Sequence, residues 1–361
     1  MSRPLLLAAG GTGGHVFPAL AVAAELRRRG REVALVTDAR GARFAGSESA
    51  RRVIPAAAPR GSAIERLSAL FVLGRGLLEA LRVFRGLRPA AAATFGGYAS
   101  VPVALAARLL RVPLLVHEQN AVMGRANRLL SRFAHRIALS FERTAACPAP
   151  PPRLVVTGNP VRPDFDPERT TAASSDRLRL LVLGGSQGAR VFADLVPAAV
   201  ALLPPECRRR LAIAQQCRPE DLDRVRAAYR AVDQPVELAP FFADAPARMG
   251  AADLVIARAG ASTVAELLAL ARPSILIPYP FAADDHQTAN ARALAEAGAA
   301  ILLPQERASP AALADVLAAL LSDGAAREAL ARAARRLARP RAAALIADAL
   351  EELAFGGGDG R

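Results

Sequence analysis

The sequence predicts two α/β domains in tandem, each built like a Rossmann domain on a parallel sheet. The chain starts with a short apolar run, residues 4–9, which is followed by a glycine-rich loop and an alanine- and leucine-rich helical pattern. The same arrangement recurs where the apolar run Leu178–Leu183 leads into a second glycine loop. Strand and helix patterns alternate after both loops, which is typical of parallel sheets covered on both faces by helices.

In the N-terminal domain, assigned to residues 1–160, the first helix is predicted to end at Gly30. Glu32–Thr37 forms the next strand and completes a βαβ unit. The uncharged segment Pro89–Ala107 is long enough for a membrane span, but its glycines and Pro102 favour a strand, a loop and a helix start. Three further strands are predicted at Ala91–Phe95, Leu114–His117 and Arg136–Ser140.

A proline-rich segment after Cys147 marks the linker to the C-terminal domain, which is assigned to residues 161–335. Residues 325–353 are interpreted as one amphipathic, arginine-rich helix. Residues 336–361 are assigned to a C-terminal helix that could pack back on the N-terminal domain, with a loose tail from Gly356. The later strands of the C-terminal domain are predicted at Leu211–Gln215, Val236–Leu238, Leu254–Ala257 and Ser274–Pro278.

Composition excludes several classes of function. All 47 basic residues among the 361 are Arg, so the chain has neither a P-loop lysine nor a lysine for Schiff-base chemistry. The three cysteines form no CxxC pair, which argues against a disulfide scaffold and against a structural zinc site. The apolar N-terminal run is too short for a signal peptide, so we expect a cytoplasmic protein.

Positive charge is concentrated in the first part of the chain. Residues 1–160 contain 23 Arg against 8 acidic residues, whereas residues 161–361 contain 24 against 25. A coding bias would act on both parts, so the asymmetry indicates an anionic partner of the first. With only 4% aromatic residues and no nucleic-acid-binding motif, the chain is not expected to bind nucleic acid.

Residues 60–88 mix apolar residues with six Arg and two Glu. One interpretation is an ordinary helix with a single buried stripe. The other is a basic, apolar patch that rests on an anionic membrane surface. The charge asymmetry favours the membrane interpretation.

Both glycine loops join a strand to a helix, so their backbone N–H groups and the helix dipole can hold a phosphate. The alternative is a dinucleotide-binding fingerprint with Asp38 as its acidic residue, but Val16 occupies the position of the third glycine. His15 follows the first loop, and the ordinary pKa of histidine, near ~6.5, suits a general base.

Seven short motifs carry a resemblance to a known family. In chain order they read GGTGGH, TFGGY, HEQN, GNPVR, GGSQGAR, RAGASTVAE and DDHQTAN, beginning at positions 10, 94, 117, 158, 184, 258 and 284. In order and spacing they resemble the MurG family, the N-acetylglucosaminyltransferases of peptidoglycan synthesis. The resemblance spans about residues 4–300.

The resemblance implies the GT-B glycosyltransferase fold, in which two Rossmann-like domains face each other across a cleft. It implies an inverting transfer of GlcNAc from UDP-GlcNAc to the 4-hydroxyl of MurNAc in lipid I, which gives lipid II. The acceptor would bind mainly to the N-terminal domain and the donor to the C-terminal one. The enzyme would act peripherally on the cytoplasmic face of the bacterial inner membrane, in cell-wall biogenesis and cell division.

Among candidate catalytic bases, His15 is the first choice and Glu118 the second. Arg162, Ser186 and the N–H groups of the second loop can stabilise departing UDP, so no metal or other cofactor is required. By resemblance, Phe241 and Phe242 flank the uracil, and Glu266 binds the ribose hydroxyls. The other predicted substrate-binding residues are Thr12, Gly13, Gly14, Asn120, Gln187, Gly188, Ala261, Ser262, Thr263 and Gln287.

Three other functions stay open. A diacylglycerol glycosyltransferase is disfavoured by the motifs at residues 117–120 and 284–290. A UDP-GlcNAc 2-epimerase has a similar two-domain layout but would leave the basic first half without a purpose. A non-catalytic sugar-nucleotide sensor would bind the donor without turnover, and a His15→Ala variant separates it from an enzyme.

Overall fold

Each glycine loop follows the first strand of a parallel sheet. The computed structural model describes residues 3–44, 51–57, 62–148, 150, 153–166, 177–185 and 188–356. The chain divides into two units, the first formed by residues 1–162 and 339–361 and the second by residues 163–338. The domain ends predicted from sequence, at 160 and 335, fall two and three residues before these divisions.

The strands described in the first unit form one fully parallel sheet. They are β1 (Leu5–Ala8), β2 (Val33–Thr37), β3 (Arg51–Val53), β4 (Ala91–Thr94), β5 (Leu114–Glu118), β6 (Arg136–Leu139) and β7 (Leu154–Val156). Their order across the sheet is β3-β2-β1-β4-β5-β6-β7. The helices between them are α1 (Gly13–Arg28), α2 (Ala63–Leu87), α3 (Ser100–Leu109) and α4 (Arg125–Leu130).

Strand β1 is buried on both faces, as its unbroken apolar sequence predicts. Successive side chains of a strand point to opposite faces. Leu5 and Leu7 therefore enter the core that includes α1, and Leu6 and Ala8 enter the core that includes α2 and α3. The central strand thus joins two helical layers, and its carboxyl end delivers the glycine loop to the edge of the sheet.

The second unit repeats this plan. Its strands are β8 (Leu178–Leu183), β9 (Leu211–Gln216), β10 (Val236–Ala239), β11 (Leu254–Ala257), β12 (Ser274–Leu276) and β13 (Ile301–Leu302), in the parallel order β10-β9-β8-β11-β12-β13. Its helices are α5 (Arg190–Leu202), α6 (Pro205–Arg209), α7 (Leu222–Arg230), α8 (Ala245–Ala251), α9 (Ala261–Ala269), α10 (His286–Glu296), α11 (Pro310–Ser322) and α12 (Gly324–Leu337). Both sheets thus confirm the predicted fold class of two Rossmann-like α/β domains.

The single helix predicted over residues 325–353 is wrong, because the structure ends α12 at Leu337 and begins α13 (Ala342–Phe355) after Pro340. Proline lacks the backbone N–H that a helix interior requires, and it disfavours helical backbone at the preceding residue. Helix α13 belongs to the first unit and packs on α1. There Arg29 forms ion pairs with Asp348 at 2.6 Å and with Glu351 at 2.7 Å.

Candidate functional site

The first glycine loop lies at the point in the sheet where the strand order reverses, between β1 and β4. In open α/β sheets, ligands bind outside the carboxyl ends of the strands at this point. The backbone N–H of Gly10 donates to the carbonyl oxygen of Gly96 at 3.3 Å, which ties the loop after β1 to the loop after β4. Gly97 has a φ of +76°, and a Cβ added there would lie 2.2 Å from the Gly10 oxygen, so this close approach requires glycine.

Asp38 holds the first loop in place. Its Oδ1 accepts the backbone N–H of Gly11 at 2.9 Å and that of Gly41 at 2.7 Å, and the side chain is buried. A carboxylate that accepts these backbone N–H groups stabilises the loop and is not placed to bind a ribose. The geometry therefore does not support the dinucleotide-binding alternative, in which Asp38 would bind ribose hydroxyls.

Several predicted substrate-binding residues meet at the start of α1. Thr12 is the N-cap residue, Gly13 and Gly14 lie in the first turn, and that turn contains no acidic residue. The guanidinium of Arg162 lies 4.7 Å above the ring of Phe17, one turn further along the same helix. A helix N-terminus with a guanidinium packed against the same helix favours a negatively charged ligand.

His15 lies in the first turn of α1 and is the first member of a chain of polar side chains. Its Nδ1 is 3.2 Å from Oε1 of Gln119, whose amide nitrogen is 2.8 Å from the carbonyl oxygen of Phe95 and 3.0 Å from Nδ1 of His117. Nε2 of His117 is 3.1 Å from the carbonyl oxygen of Gly158. Burial lowers the pKa of His117 to about 4, so its ring is neutral at physiological pH.

Gln119 was not among the predicted site residues, although it lies inside the HEQN motif. Its position directly after β5 is the signal that could have identified it, because functional groups gather at the carboxyl ends of parallel strands.

The hydrogen bonds of Glu118, the second candidate base, disfavour that role. Its side chain is buried, and its two oxygens accept four hydrogen bonds. The donors are the backbone N–H groups of Asn120 and Gly124, each at 3.0 Å, and the side-chain amides of Asn120 at 3.2 Å and Asn127 at 2.8 Å. A carboxylate with so many donors has no lone pair placed to take a proton from a substrate. Glu118 instead shapes the loop that carries Asn120, which stays a candidate substrate-binding residue.

The second glycine loop is held by Gln216, which sequence reasoning did not identify. Its Oε1 accepts the N–H of Gly184 at 3.1 Å, and its amide nitrogen donates to the carbonyl oxygens of Gly185 and Pro240, both at 3.1 Å. Gln216 is the last residue of β9, so the same carboxyl-end signal would have found it. It joins the glycine loop to the segment that carries Phe241.

The rest of this loop leads into α5. Gly188 has a φ of +70°, and a Cβ added there would lie 2.8 Å from Cγ of Arg218, so glycine is needed for conformation and for space. The first turn of α5 contains no acidic residue. Ser186 and Gln187, both predicted to bind substrate, lie outside the described residues.

Phe241 and Phe242 have opposite environments. The side chain of Phe241 is 73% exposed, whereas Phe242 is 5% exposed and lies 4.4 Å below the guanidinium of Arg248. Arg248 is held by Glu237 at 2.6 Å and by Asp244 at 2.7 Å. Phe241 can therefore offer its ring to a ligand, while Phe242 can contribute only backbone groups.

Residues 261–263 form the first turn of α9, and Glu266 follows in the second turn. Ser262 and Glu266 are four residues apart and share one face of this helix. Asn290 is buried in α10 and donates to the carbonyl oxygen of Ala259 at 3.0 Å, which fixes the loop before α9. Glu266, the predicted ribose-binding residue, and residues 261–263 thus lie on one short helix, and Asn290 holds the loop that leads into it.

Gln287 lies in the first turn of α10. Its Oε1 accepts the backbone N–H of Tyr279 at 3.0 Å. Gln287 can therefore donate its amide N–H groups to a sugar hydroxyl. Within the described ranges, no group of three or more His, Cys, Asp or Glu is placed to hold a metal ion.

The surface of α2 has two different sides. Ala69, Gly76, Ala80 and Phe84 form its buried stripe. At 100° per residue, Ile64, Leu67, Phe71 and Leu78 fall within a sector of roughly 60° on the opposite side, and all are more than half exposed. Arg75, Arg82 and Arg85 fall on or next to that sector and are also exposed. None of the helices in the described part of the chain is long and apolar enough to cross a membrane.

Both units match models of known protein families. Residues 5–139 match the glycosyltransferase family 28 N-terminal domain, and residues 179–346 match the glycosyltransferase family 28 C-terminal domain. Together the two matches cover most of the chain, and the second extends from the second unit into α13 of the first.

Named relatives match over nearly the whole length. A UDP-N-acetylglucosamine–N-acetylmuramyl-(pentapeptide) pyrophosphoryl-undecaprenol N-acetylglucosamine transferase from Granulibacter bethesdensis is 48% identical, with 97% of this chain and 94% of the relative covered. The transferase of the same name from Paramagnetospirillum magneticum is 50% identical, with 96% of each chain covered.

Solved structures agree at the level of the fold. The crystal structure of MurG from Acinetobacter baumannii has a TM-score of 0.79 and 32% identity, covering 97% of this chain and 99% of that one. A putative UDP-N-acetylglucosamine 2-epimerase from Listeria monocytogenes reaches a TM-score of 0.73 with 98% and 96% coverage. Its identity is only 15%, so this second likeness concerns the fold alone.

Proposed function

The chain belongs to glycosyltransferase family 28, and on that premise we propose that it transfers N-acetylglucosamine from UDP-N-acetylglucosamine to lipid-linked N-acetylmuramyl-pentapeptide. The observation that carries this proposal is 48–50% identity, over nearly the full length, to transferases named for this reaction. Lipid I would be the acceptor and lipid II the product, in the synthesis of peptidoglycan.

We assign the donor to the second unit. Phe241 is the one exposed ring of its pair and would stack on the uracil, while the backbone at Phe242 reads the edge of the base. The loop at Gly184–Gly188 and the start of α5 would hold the diphosphate by backbone N–H groups. Glu266 would accept hydrogen bonds from ribose hydroxyls, and Gln287 would donate to the sugar.

We assign the acceptor to the first unit, with His15 as the base. The 4-hydroxyl oxygen attacks the anomeric carbon while the bond from that carbon to the UDP oxygen breaks, so configuration inverts. The hydroxyl proton passes to the neutral His15 ring, and the electron pair of the broken bond leaves with UDP. Thr12–Gly14 and Arg162 offer N–H groups and a cation to the diphosphate of the acceptor. The N–H groups of the second loop stabilise the charge on departing UDP, so the proposed step uses no resident metal.

The test measures transfer of label from UDP-GlcNAc to a short-chain lipid I analogue. Wild-type protein should label the lipid, and omission of the acceptor should abolish the product. His15→Ala should reduce kcat by about 10²- to 10⁴-fold, the usual contribution of a general base, while donor binding is retained. The matched control is His135→Gln, because Nδ1 of His135 only accepts the backbone N–H of Leu114, at 3.1 Å.

Other outcomes would reject the assignment. Conversion of UDP-GlcNAc to its 2-epimer without an acceptor would identify the epimerase alternative. Donor binding with neither transfer nor epimerisation would identify a sensor. Labelling of diacylglycerol in place of lipid I would place the chain with the other lipid glycosyltransferases.

We further propose that α2 rests on an anionic membrane surface, peripherally at the cytoplasmic face of the inner membrane. Its exposed sector has three apolar side chains toward the amino end, and Arg75, Leu78, Arg82 and Arg85 follow on or next to it. Apolar side chains can enter the headgroup region while each nearby Arg adds about 1 kcal/mol of attraction to anionic lipid. Residues 58–61, which include Arg60, lie outside the described residues.

Sedimentation with vesicles tests this surface. Wild-type protein should bind phosphatidylglycerol vesicles and release from them at high salt, and it should bind phosphatidylcholine vesicles weakly. A variant with Arg75, Arg82 and Arg85 changed to Ala should lose most of the binding. The control changes three exposed arginines of the second unit, Arg209, Arg230 and Arg292, to Ala. Equal loss in both variants would show that net charge, rather than α2, governs binding.

A further inference from the structure

Hydrogen bonds run in one direction along the chain of polar side chains from His15 through Gln119 to His117. Backbone carbonyl groups in contact with these side chains determine that direction. The amide nitrogen of Gln119 lies 2.8 Å from the carbonyl oxygen of Phe95 and 3.3 Å from that of His117. Carbonyl oxygens can only accept hydrogen bonds, so this end of the Gln119 amide must be its NH2 group. The reversed amide would place oxygen against oxygen in a buried site.

This orientation fixes the proton on His15. The opposite end of the Gln119 amide is Oε1, which lies 3.2 Å from Nδ1 of His15 and can only accept. Nδ1 of His15 must therefore carry a hydrogen. In a neutral imidazole only one ring nitrogen is protonated, so Nε2 is the nitrogen with the lone pair.

His117 anchors the other end of the chain. Its Nε2 faces the carbonyl oxygen of Gly158 at 3.1 Å and must donate, so Nδ1 of the neutral ring accepts from the amide of Gln119 at 3.0 Å. Two backbone carbonyls, those of Phe95 and Gly158, thus give the same polarity to the whole chain. Gly96 adds a steric condition, since a Cβ there would lie 2.8 Å from Nδ1 of His15 and would displace the ring.

We propose that Gln119 is a positioning residue that holds His15 in the Nδ1–H tautomer, with His117 fixing the orientation of the amide, so that Nε2 of His15 is the atom that receives the acceptor proton. The tautomer assignment stands on geometry alone, and its catalytic use rests on the proposed function. Gln119 itself does not touch the substrate in this proposal. It acts by keeping the base in the form that can accept a proton.

Nitrogen NMR of the full chain with ¹⁵N-labelled histidine tests the assignment directly, because the chain has only four histidines. His15 should give the Nδ1–H pattern and His117 the Nε2–H pattern. His286, with Nδ1 2.8 Å from the carbonyl oxygen of Ala283, should give Nδ1–H, and His135 should give Nε2–H because its Nδ1 accepts. A wild-type His15 in the Nε2–H form would overturn the inference whatever the activity.

Two variants connect the tautomer with catalysis. Gln119→Leu removes the acceptor, so His15 should lose its fixed Nδ1–H pattern while His135 and His286 keep theirs. Its kcat should fall about 10- to 100-fold, part of the usual contribution of a general base, with the KM for UDP-GlcNAc within about twofold of wild type. Gln119→Glu, neutral in this buried position, keeps an oxygen for His15 and should restore both the tautomer and most of the activity.

The double variant separates positioning from general damage. If Gln119 acts only through His15, then Gln119→Leu should cause no further loss of kcat in a His15→Ala background. A full additional loss there, or an unchanged His15 tautomer in Gln119→Leu, would reduce Gln119 to a structural residue and overturn the inference. If the NMR results are as expected but His15→Ala retains activity, the base assignment fails and the catalytic use of the tautomer fails with it.

Discussion

Lowering the pH from 7.5 to 5 should destabilise the first unit by about 2 kcal/mol through one buried side chain, His117. Burial lowers the pKa of this ring from 6.5 to about 4 in the folded protein, so only the unfolded chain takes up a proton in this range. The folded state has its full stability above pH 6.5. Stability falls as the pH drops toward 4, where the loss reaches about 3 kcal/mol.

This pH window separates His117 from the carboxylates. The pKa of Glu25, for example, is lowered to about 2, mainly by a hydrogen bond from Arg28, so its contribution is lost at pH values below 4.5. Between pH 7.5 and 5 such groups change their contribution little. A His117→Asn variant removes the ring. Between pH 7.5 and 5, its free energy of unfolding should therefore fall by about 2 kcal/mol less than that of the wild type, whatever the stability of the variant itself.

Urea unfolding at both pH values, followed by pulsed hydrogen exchange and mass spectrometry, reads the two units separately in one sample. Peptides from β5 report the first unit, and peptides from β9 serve as the internal control. In the wild type, the free energy of unfolding reported by the β5 peptides should differ between the two pH values. The same difference should be much smaller in His117→Asn. An equal pH dependence in both proteins, or in β5 and β9 alike, would refute a depressed pKa at His117.

Three further substitutions test single contacts. Glu118→Gln should lower the free energy of unfolding by about 3 kcal/mol, since an NH2 group replaces an acceptor among four donors, yet the acidic limb of the pH–rate profile, where the rate falls as the general base is protonated, should persist. Loss of that limb would return Glu118 to the role of base. Tyr229→Phe should cost about 1–2 kcal/mol in the second unit, because it removes the buried 2.6 Å hydrogen bond to Gln215, with UDP affinity unchanged by calorimetry. Gln216→Leu should weaken UDP binding about tenfold by calorimetry, since it releases the second glycine loop at a cost of about 1.4 kcal/mol in ordering.

Periodicity and glycine placement were enough to predict most of the fold. The run Leu178–Leu183 is found as β8 with the same bounds, because a largely apolar run of six residues that ends at a glycine loop is typical of a strand in a parallel sheet. Three edge strands were not predicted: β3, β7 and β13, of which β3 and β13 lack a long apolar run. Arg51–Val53 is mostly charged, and Ile301–Leu302 has only two residues, so neither produces an apolar pattern.

The candidate site was predicted less completely, because sequence shows residue types but not hydrogen-bond partners. The motif HEQN contains a carboxylate, two amides and an imidazole, and any of them could face a substrate. Only the structure distinguishes them, since Glu118 accepts four hydrogen bonds from residues 120–127, while Gln119 contacts His15 on α1, 104 residues earlier. Contacts at such separation have no periodicity that a sequence pattern could reveal.

The side chains that hold the two glycine loops differ in charge, and this difference bears on which loop suits a diphosphate. Both come from the carboxyl end of the second strand of their sheet, Asp38 just after β2 and Gln216 at the end of β9. Asp38 places a carboxylate against the N–H of Gly11, and Arg40, with Nη2 3.6 Å from Oδ2, offsets only part of that charge because it is largely exposed. Gln216 holds the second loop with a neutral amide, so no carboxylate is bound to the described part of that loop, Gly184, Gly185 and Gly188, to repel an anion. By this reasoning the second loop is the better binding site for a doubly charged leaving group. The first loop needs the added cation of Arg162 to bind a diphosphate.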